Sequence, residues 1–506
     1  MLVSPSIFIS PRSLSGVPLT DKRKLTLSSI IVVLAALVLL WQFSAAIFNY
    51  ARLAGAALDF RYPLDYGEGP LLDQTLRLLD GEQIYKNDFS APPYTISNYP
   101  PLFLLVQAPF ASLFGPAYWY GRGLSLFSAL ITAALIGLTL YTLTGSWLGA
   151  AVGGLLLLSF PYDQYWSLLN RIDTLALVFS WAGIFVVVRY FDRRWGIAVG
   201  AAFLIAAIYT RQSYALAAPA GAFFFLLGNR RFRKAINLAL IVGGVCLGLF
   251  LIINLLSSGG FFLNIVSANV NPFFWDTVKN YFETLSKNTY LLLGLIAAFL
   301  LAERFGQHSR TWVLALVYLI TATASAVTVG KDGSNVNYMY ELAAALSFAG
   351  GAALVWLGRN PWVRAGLVLG LALQVSMLIQ WTHGDFDGRI TDKTDREQQV
   401  ARLFQEVQET DGILLTDEYM GMLPLAGKRI YYQPFEYKML SEGGLWDDMD
   451  FMASIVNHEY SALLLYDPPY WSSYDARWSK RLQSAINASY QVRDRIADTE
   501  IWKPRE

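Results

Sequence analysis

Two carboxylates three residues apart, Asp65 and Glu68, stand in the cluster Asp65-Tyr66-Gly67-Glu68-Gly69. A carboxylate there could take the proton of an incoming hydroxyl. On one helical turn both acids would face the same way, and Gly67 and Gly69 allow a tight backbone beside a ligand. The same acids also suit a plainer role, capping a helix that begins near Pro70.

Further polar groups fall where apolar runs end: Asn170-Arg171-Ile172-Asp173, Thr210-Arg211-Gln212, and Lys331 to Tyr338 followed by Glu341. Ionisable groups at such depth in a bilayer cost about 2.5 to 3.5 kcal/mol each, so they pair with one another or line a polar cavity. Arg171 and Asp173 could pair with no further role. Cations beside carboxylates at a membrane edge also suit a lipid phosphate, which Arg grips as a fork and Lys meets as a point charge. Arg211 and Lys331 are the leading candidates, with Arg171, Lys86 and Arg61 behind them. Tyr85, Tyr99, Gln212, Asn335, Asn337, Tyr338 and Glu341 are the expected lining. Aromatics crowd the same face, chiefly as an interfacial belt, with a few available to stack on a sugar ring.

The one cysteine, Cys246, and the dispersed His308, His383 and His458 share no ligand spacing, so no His/Cys metal centre is expected. A divalent cation on Asp65, Glu68 and phosphate oxygens is left open, since hard cations take oxygen ligands. No other cofactor is implied. The net charge of +1 offers no field for nucleic acid.

These groups must be positioned by membrane helices. Of 506 residues, 55% are hydrophobic and 15% charged, too apolar for an ordinary soluble domain. Leu25 to Ala51 carries no formal charge and exceeds the roughly 20 residues a span needs. Apolar runs recur to residue 381, giving a polytopic all-α membrane domain of about 11 to 13 helices. Basic clusters at Lys22-Arg23-Lys24, Arg189 to Arg194, Arg230 to Lys234, Arg304 with Arg310, and Arg359 with Arg364 all fall in the cytoplasm with eleven spans, provided the tract Pro100 to Phe114 is re-entrant or interfacial. That arrangement puts 1–24 in the cytoplasm, the membrane domain at 25–381 with a catalytic outer loop at 51–99, and the C-terminus outside, a multi-pass protein of the plasma (inner) membrane.

From Thr382 the chain turns polar. A helix over 392–410, strand-like runs at Ile413 to Leu415, Ile430 to Tyr432 and Ala462 to Tyr466, and a helix from Asp447 to Asn457 predict a small extracytoplasmic α/β domain over 382–506.

The order of short motifs resembles the GT-C class of polytopic glycosyltransferases, in particular bacterial relatives of the protein O-mannosyltransferases and the aminoarabinose transferases. The carried features are Asp65-x-x-Glu68 after the first span, Gly81-x-x-Ile84-Tyr85, Tyr99-Pro100-Pro101-Leu102, Arg122, Arg171-x-Asp173, Arg211-Gln212, and in the tail Gln433-Pro434-Phe435-Glu436-Tyr437. D-Y-G-E-G stands in place of the adjacent Asp-Glu pair of the O-mannosyltransferases. The resemblance implies transfer of a sugar from a polyprenyl phosphate to an acceptor hydroxyl on glycan, lipid or protein, with inversion, and gives Asp65 the role of base with Glu68 as partner or substitute. The alternative is a transporter or lipid flippase for a phosphate-bearing substrate, in which Arg211 and Lys331 bind cargo.

Overall fold

The structure is a computed structural model that describes residues 27–269, 271–304, 309–469 and 472–506. The expected segment 1–24, its Lys22-Arg23-Lys24 cluster and His308 lie outside the described residues.

Eight of the described helices are long and apolar enough to cross a bilayer: Leu27–Asp59, Trp119–Thr144, Asp173–Tyr190, Phe232–Leu256, Trp275–Ala302, Arg310–Gly330, Val336–Leu357 and Pro361–Asp385. Four shorter apolar helices accompany them: Leu102–Phe114, Trp147–Ser159, Gly196–Thr210 and Gln212–Gly228. The polytopic all-α expectation holds. Without a hydrophobic drive between helices in lipid, close backbone approach does the packing. A Cβ on Gly351 would lie 2.7 Å from the Gly149 carbonyl and 3.1 Å from Gly153 Cα, so small residues set how Trp147–Ser159 nests on Tyr340–Leu357.

Leu102–Phe114 has 13 residues. At about 1.5 Å per residue it is roughly 20 Å long, short of a hydrocarbon core near 30 Å. Its buried Phe103 and Leu104 cluster with Leu71, Ile172 and Leu175, fixing it beside the segment that follows the first span. The helix Trp275–Arg304 is kinked at Thr289. Buried Gln374 bridges the kink, donating to the Asn288 carbonyl at 2.6 Å and accepting from the Leu292 N–H at 3.1 Å.

After Pro361–Asp385 the chain forms helices Asp387–Thr394 and Glu397–Glu409, then a four-stranded sheet of β1 (Leu414–Thr416), β2 (Ala462–Tyr466), β3 (Tyr490–Ile496) and β4 (Thr499–Pro504) in the order β1-β2-β4-β3. β1 is parallel to β2, and β4 is antiparallel to β2 and β3. The helix expected over Asp447 to Asn457 is Met449–Val456.

Ile430 to Tyr432 is not a strand of this sheet. It makes a single parallel bridge between Tyr432 and Tyr94 of the outer loop, secured by the Tyr94 N–H on the Tyr431 carbonyl at 2.6 Å and the Gln433 N–H on the Tyr94 carbonyl at 3.0 Å. The outer-loop residues Phe89, Tyr94 and Ile96 share one buried cluster with Leu415, Tyr432, Tyr437, Trp446 and Phe451. The change in composition at residue 382 therefore does not end the core. Tyr94 is an anchor between the loop after the first span and the C-terminal region.

Candidate active site

Asp65 precedes the helix Glu68–Leu79, so the two acids do not share a helical face. Asp65 Oδ1 accepts the Gly67 N–H at 2.9 Å and Arg171 Nη1 at 3.1 Å. Its Oδ2 has no partner among the described residues, and the residue lines a cavity of about 540 Å3. Gly67 lets Arg171 come this close: a Cβ there would collide with Arg171 Nη1 at 1.3 Å. Gly69 does the same for the C-terminal region, where a Cβ would lie 2.6 Å from Gly421 Cα. The glycines of D-Y-G-E-G thus make room for protein as much as for ligand. Burial pushes the Asp65 carboxyl above the ordinary carboxylate range, and the Arg171 charge offsets this only in part.

Glu68 has a different place. It is fully buried and both oxygens are taken: Oε1 by Arg122 Nε at 2.9 Å and the Asn170 N–H at 2.7 Å, Oε2 by Arg122 Nη2 at 2.8 Å and the Leu64 N–H at 2.7 Å. Arg122 also donates to the carbonyls of Ala57, Phe60 and Tyr62, clamping the chain where it leaves the first span. Burial works to raise the Glu68 carboxyl, but the Arg122 guanidinium and the two backbone N–H groups hold it below its usual range. With its lone pairs spent, Glu68 is neither substitute base nor shared ligand with Asp65. Among the described residues no group of three His, Cys, Asp or Glu is arranged to hold a metal.

The expected cations separate into three groups. Arg171 and Lys331 line the cavity with Asp65. Arg171 lies over the Trp166 ring at 4.9 Å, and its buried Nε has no hydrogen-bond partner among the described residues. Lys331 Nζ donates to Asn269 Oδ1 at 2.9 Å; burial, and then the Arg211 charge, lower its pKa to about 8. Arg211 sits one layer behind, paired with Asp173 and lying 4.4 Å from the Tyr338 ring centre. Arg171 and Asp173 do not pair with each other, because residues two apart entering a helix point away from one another. Asp173 instead also accepts Trp166 Nε1 at 2.6 Å and Asn337 Nδ2 at 3.1 Å, which fixes the cavity floor.

Lys86 and Arg61 are placed elsewhere. Lys86 Nζ is used by the carbonyls of Ala91 and Pro93, and Arg61 lines a second cleft with Tyr62, Tyr118, Trp119 and Phe404. Of the expected lining, Tyr99, Asn335, Asn337 and Tyr338 line the cavity. Tyr85 is buried edge-on against Phe261 with its hydroxyl on the Tyr99 carbonyl, and Gln212 Nε2 holds the Asn98 carbonyl at 3.0 Å, so these two support the wall from behind, while Glu341 is buried with Ser325 away from the cavity lining.

The C-terminal region supplies a wall that the sequence reading lacked. Gln433, Phe435, Glu436, Lys438 and Arg477 line the cavity, as do Tyr66, Asn98, Asn269, Asn271 and Asp332 from the membrane-domain loops. Tyr66 donates to Glu436 Oε2 at 2.6 Å, and Arg477 lies over the Tyr66 ring at 4.3 Å. Glu418 bridges Arg477 Nη2 at 2.6 Å and Lys393 Nζ at 2.5 Å, and Lys393 holds the Leu64 carbonyl at 3.0 Å. The residues on both sides of Asp65 are thereby tied to the C-terminal region. The segment Gln433 to Tyr437 stood out in the sequence, but only as a motif without chemistry.

The cavity thus brings the Asp65 carboxylate, Arg171 and Lys331 together with polar side chains and a few aromatic faces. Residues 98–257 match the family model described as dolichyl-phosphate-mannose-protein mannosyltransferase. Among solved structures the chain is similar to ArnT from Cupriavidus metallidurans in the apo state, with a TM-score of 0.64 and 12% identity over 91% of this chain and 96% of that one. It is similar to the same protein bound to undecaprenyl phosphate, with a TM-score of 0.61 and 13% identity over 91% and 97%. A third likeness is to the archaeal oligosaccharyltransferase AglB from Archaeoglobus fulgidus, in complex with an inhibitory peptide and a dolichol-phosphate, with a TM-score of 0.51 and 12% identity over 88% and 72%. No curated protein matches the sequence. The chain is a polytopic membrane protein with the GT-C glycosyltransferase fold, and the resemblance drawn from its motifs is borne out.

Proposed function

We propose that the protein transfers a sugar from a polyprenyl-phosphate donor to an acceptor hydroxyl, with Asp65 as the base. The observation that carries this reading is the free Oδ2 of Asp65 facing one cavity with Arg171 and Lys331. The donor phosphate docks between those two cations. Arg171 Nε still has donor capacity, and Asn98 Oδ1 and Asn337 Oδ1, buried in the same wall without partners, can accept hydroxyls of the sugar.

The acceptor O–H loses its proton to Asp65 Oδ2 as its oxygen bonds to the anomeric carbon. The bond from that carbon to the phosphate oxygen breaks, and its electron pair leaves on the phosphate, whose charge Arg171 and Lys331 stabilise. One displacement inverts the anomeric centre. Arg211 and Asp173 act through Tyr338, Trp166 and Asn337, which they hold in place.

Undecaprenyl phosphate in the ArnT structure and the dolichyl-phosphate family match support a polyprenyl donor. The basic clusters support a plasma (inner) membrane location with the N-terminus cytoplasmic and the cavity outside. Reconstituted into vesicles, the protein is expected to move labelled sugar from at least one polyprenyl-phosphate donor to an acceptor. Movement of intact lipid or sugar across the bilayer without a new glycosidic bond would overturn this reading in favour of a transporter.

A further inference from the structure

The cavity has two unlike halves. The membrane-domain half holds Arg171 and Lys331, and the C-terminal half holds Gln433, Phe435 and Glu436. Among the described residues both cations of the C-terminal half are engaged by protein groups. Arg477 is bound to Glu418, and Lys438 Nζ donates to the carbonyls of Asp475 at 3.2 Å and Ala476 at 3.0 Å.

What this wall offers is hydrogen bonding from an amide and a carboxylate beside an aromatic ring. Gln433 Oε1 is taken by the Ile96 N–H at 2.7 Å, and its Nε2 has no partner among the described residues. The Glu436 carboxylate accepts Tyr66 on Oε2 and its own backbone N–H, which leaves it further acceptor capacity. Phe435 is half-buried: its ring edge presses on Gly333, where a Cβ would lie 2.4 Å away, so the ring bridges the cavity from the C-terminal region to the 331–338 loop. A donor amide, an acceptor carboxylate and an aromatic face within one wall suit a ring with hydroxyls at its rim and C–H groups on its faces. The wall's apolar residues are too few to seat an acyl chain: Leu71, Ile96 and Ala476 are the aliphatic side chains of the whole lining besides Pro70.

We infer that the C-terminal wall is the acceptor subsite and that the acceptor is an uncharged carbohydrate, held by Gln433, Phe435 and Glu436 with one hydroxyl turned to Asp65. This rests on the glycosyltransferase reading, which it deepens by naming the acceptor class. The wall takes no part in bond making: the hydroxyl proton passes to Asp65 and the phosphate leaves on the membrane side. Its task is to present a neutral ring, and a phosphate or carboxylate on that ring would meet the Glu436 carboxylate, with Arg477 already paired to Glu418 and Lys438 Nζ turned to two backbone carbonyls.

The test uses the full chain in detergent and two separate measurements. Saturation-transfer NMR compares maltose, cellobiose and mannobiose with a phosphorylated disaccharide and a Ser/Thr peptide, while undecaprenyl phosphate is titrated in parallel. At least one neutral disaccharide should bind in preference to the charged sugar and the peptide. F435A and E436Q should each weaken it by about tenfold, the size of one lost contact, while the undecaprenyl phosphate affinity, which also reports folding, stays within about twofold. Preferential binding of the phosphorylated sugar or the peptide would overturn the inference, as would undecaprenyl phosphate binding with no disaccharide signal. Disaccharide binding with no affinity for undecaprenyl phosphate would leave a glycan site standing and remove the donor reading instead.

Discussion

Arg171 Nη1 lies 3.1 Å from Asp65 Oδ1, a pair made across 106 residues of chain, and it leaves Oδ2 of that carboxylate open to the cavity. In the proposed mechanism this contact both orients the base and bears on its charge. R171A should therefore do two things: weaken donor binding, and push the Asp65 carboxyl further up by removing the charge that opposes burial. The acid limb of kcat/KM should move to higher pH together with a rise in donor KM. A KM change with an unmoved acid limb would separate Arg171 from Asp65.

The proposed mechanism sets limits on both sides of the pH range. Asp65 works only when ionised, and burial places its carboxyl above the ordinary 3.8, so kcat/KM falls as pH drops through that raised value. Lys331 works only when charged, and it loses its proton near pH 8 against an ordinary 10.5, so kcat/KM falls again as pH rises through about 8. K331R, which keeps its charge throughout this range, should abolish the basic limb. A basic limb that survives in K331R belongs to another group.

Glu68 and Arg122 are a joint of the fold. Removing one partner of a fully buried, fully hydrogen-bonded pair leaves an uncompensated charge, at a cost of about 3 to 5 kcal/mol. E68A and R122A should lower yield and thermal stability in detergent, whereas D65N should keep both near wild type. Loss of transfer by a well-folded E68A would return Glu68 to the chemistry.

Glu418 should report how the C-terminal region is held. Burial would raise its carboxyl, but Lys393 and Arg477 outweigh it and bring the value to about 2 from an ordinary 4.5. Its folded value is depressed, so its stabilisation is complete above about 4.5 and is lost as pH falls from there toward about 2. Limited proteolysis of the region after residue 394 should accelerate across that window. E418Q should be cut faster at neutral pH, with kcat reduced because Leu64 and Tyr66 lose their ties. An E418Q protein with wild-type cleavage and rate would contradict the coupling.

The legible parts of the chain were those governed by local pattern. The apolar runs located the membrane helices, and Ala462 to Tyr466 is a strand over the residues expected because it is short, apolar and bounded by polar chain. The β3–β4 hairpin was illegible. Much of β3 is exposed and charged, and its turn, Ala497-Asp498 with both φ positive at 50° and 56°, carries no glycine to announce it. The Asp65-to-Arg171 and Arg211-to-Asp173 pairs were illegible for another reason. Each joins separate elements, and spacing in sequence pointed instead to Arg171 with its near neighbour Asp173. The C-terminal wall was missed because Gln433, Phe435 and Glu436 gain their meaning only once Tyr432 is docked on Tyr94.

Single-turnover transfer from one labelled polyprenyl-phosphate sugar, with wild type and D65N purified side by side and matched for undecaprenyl phosphate affinity, tests the central claim most directly. If Asp65 is the base, D65N binds the lipid as wild type does and transfers at least about a hundredfold more slowly. Equal rates in the two proteins at equal lipid affinity would contradict it and remove Asp65 from the reaction.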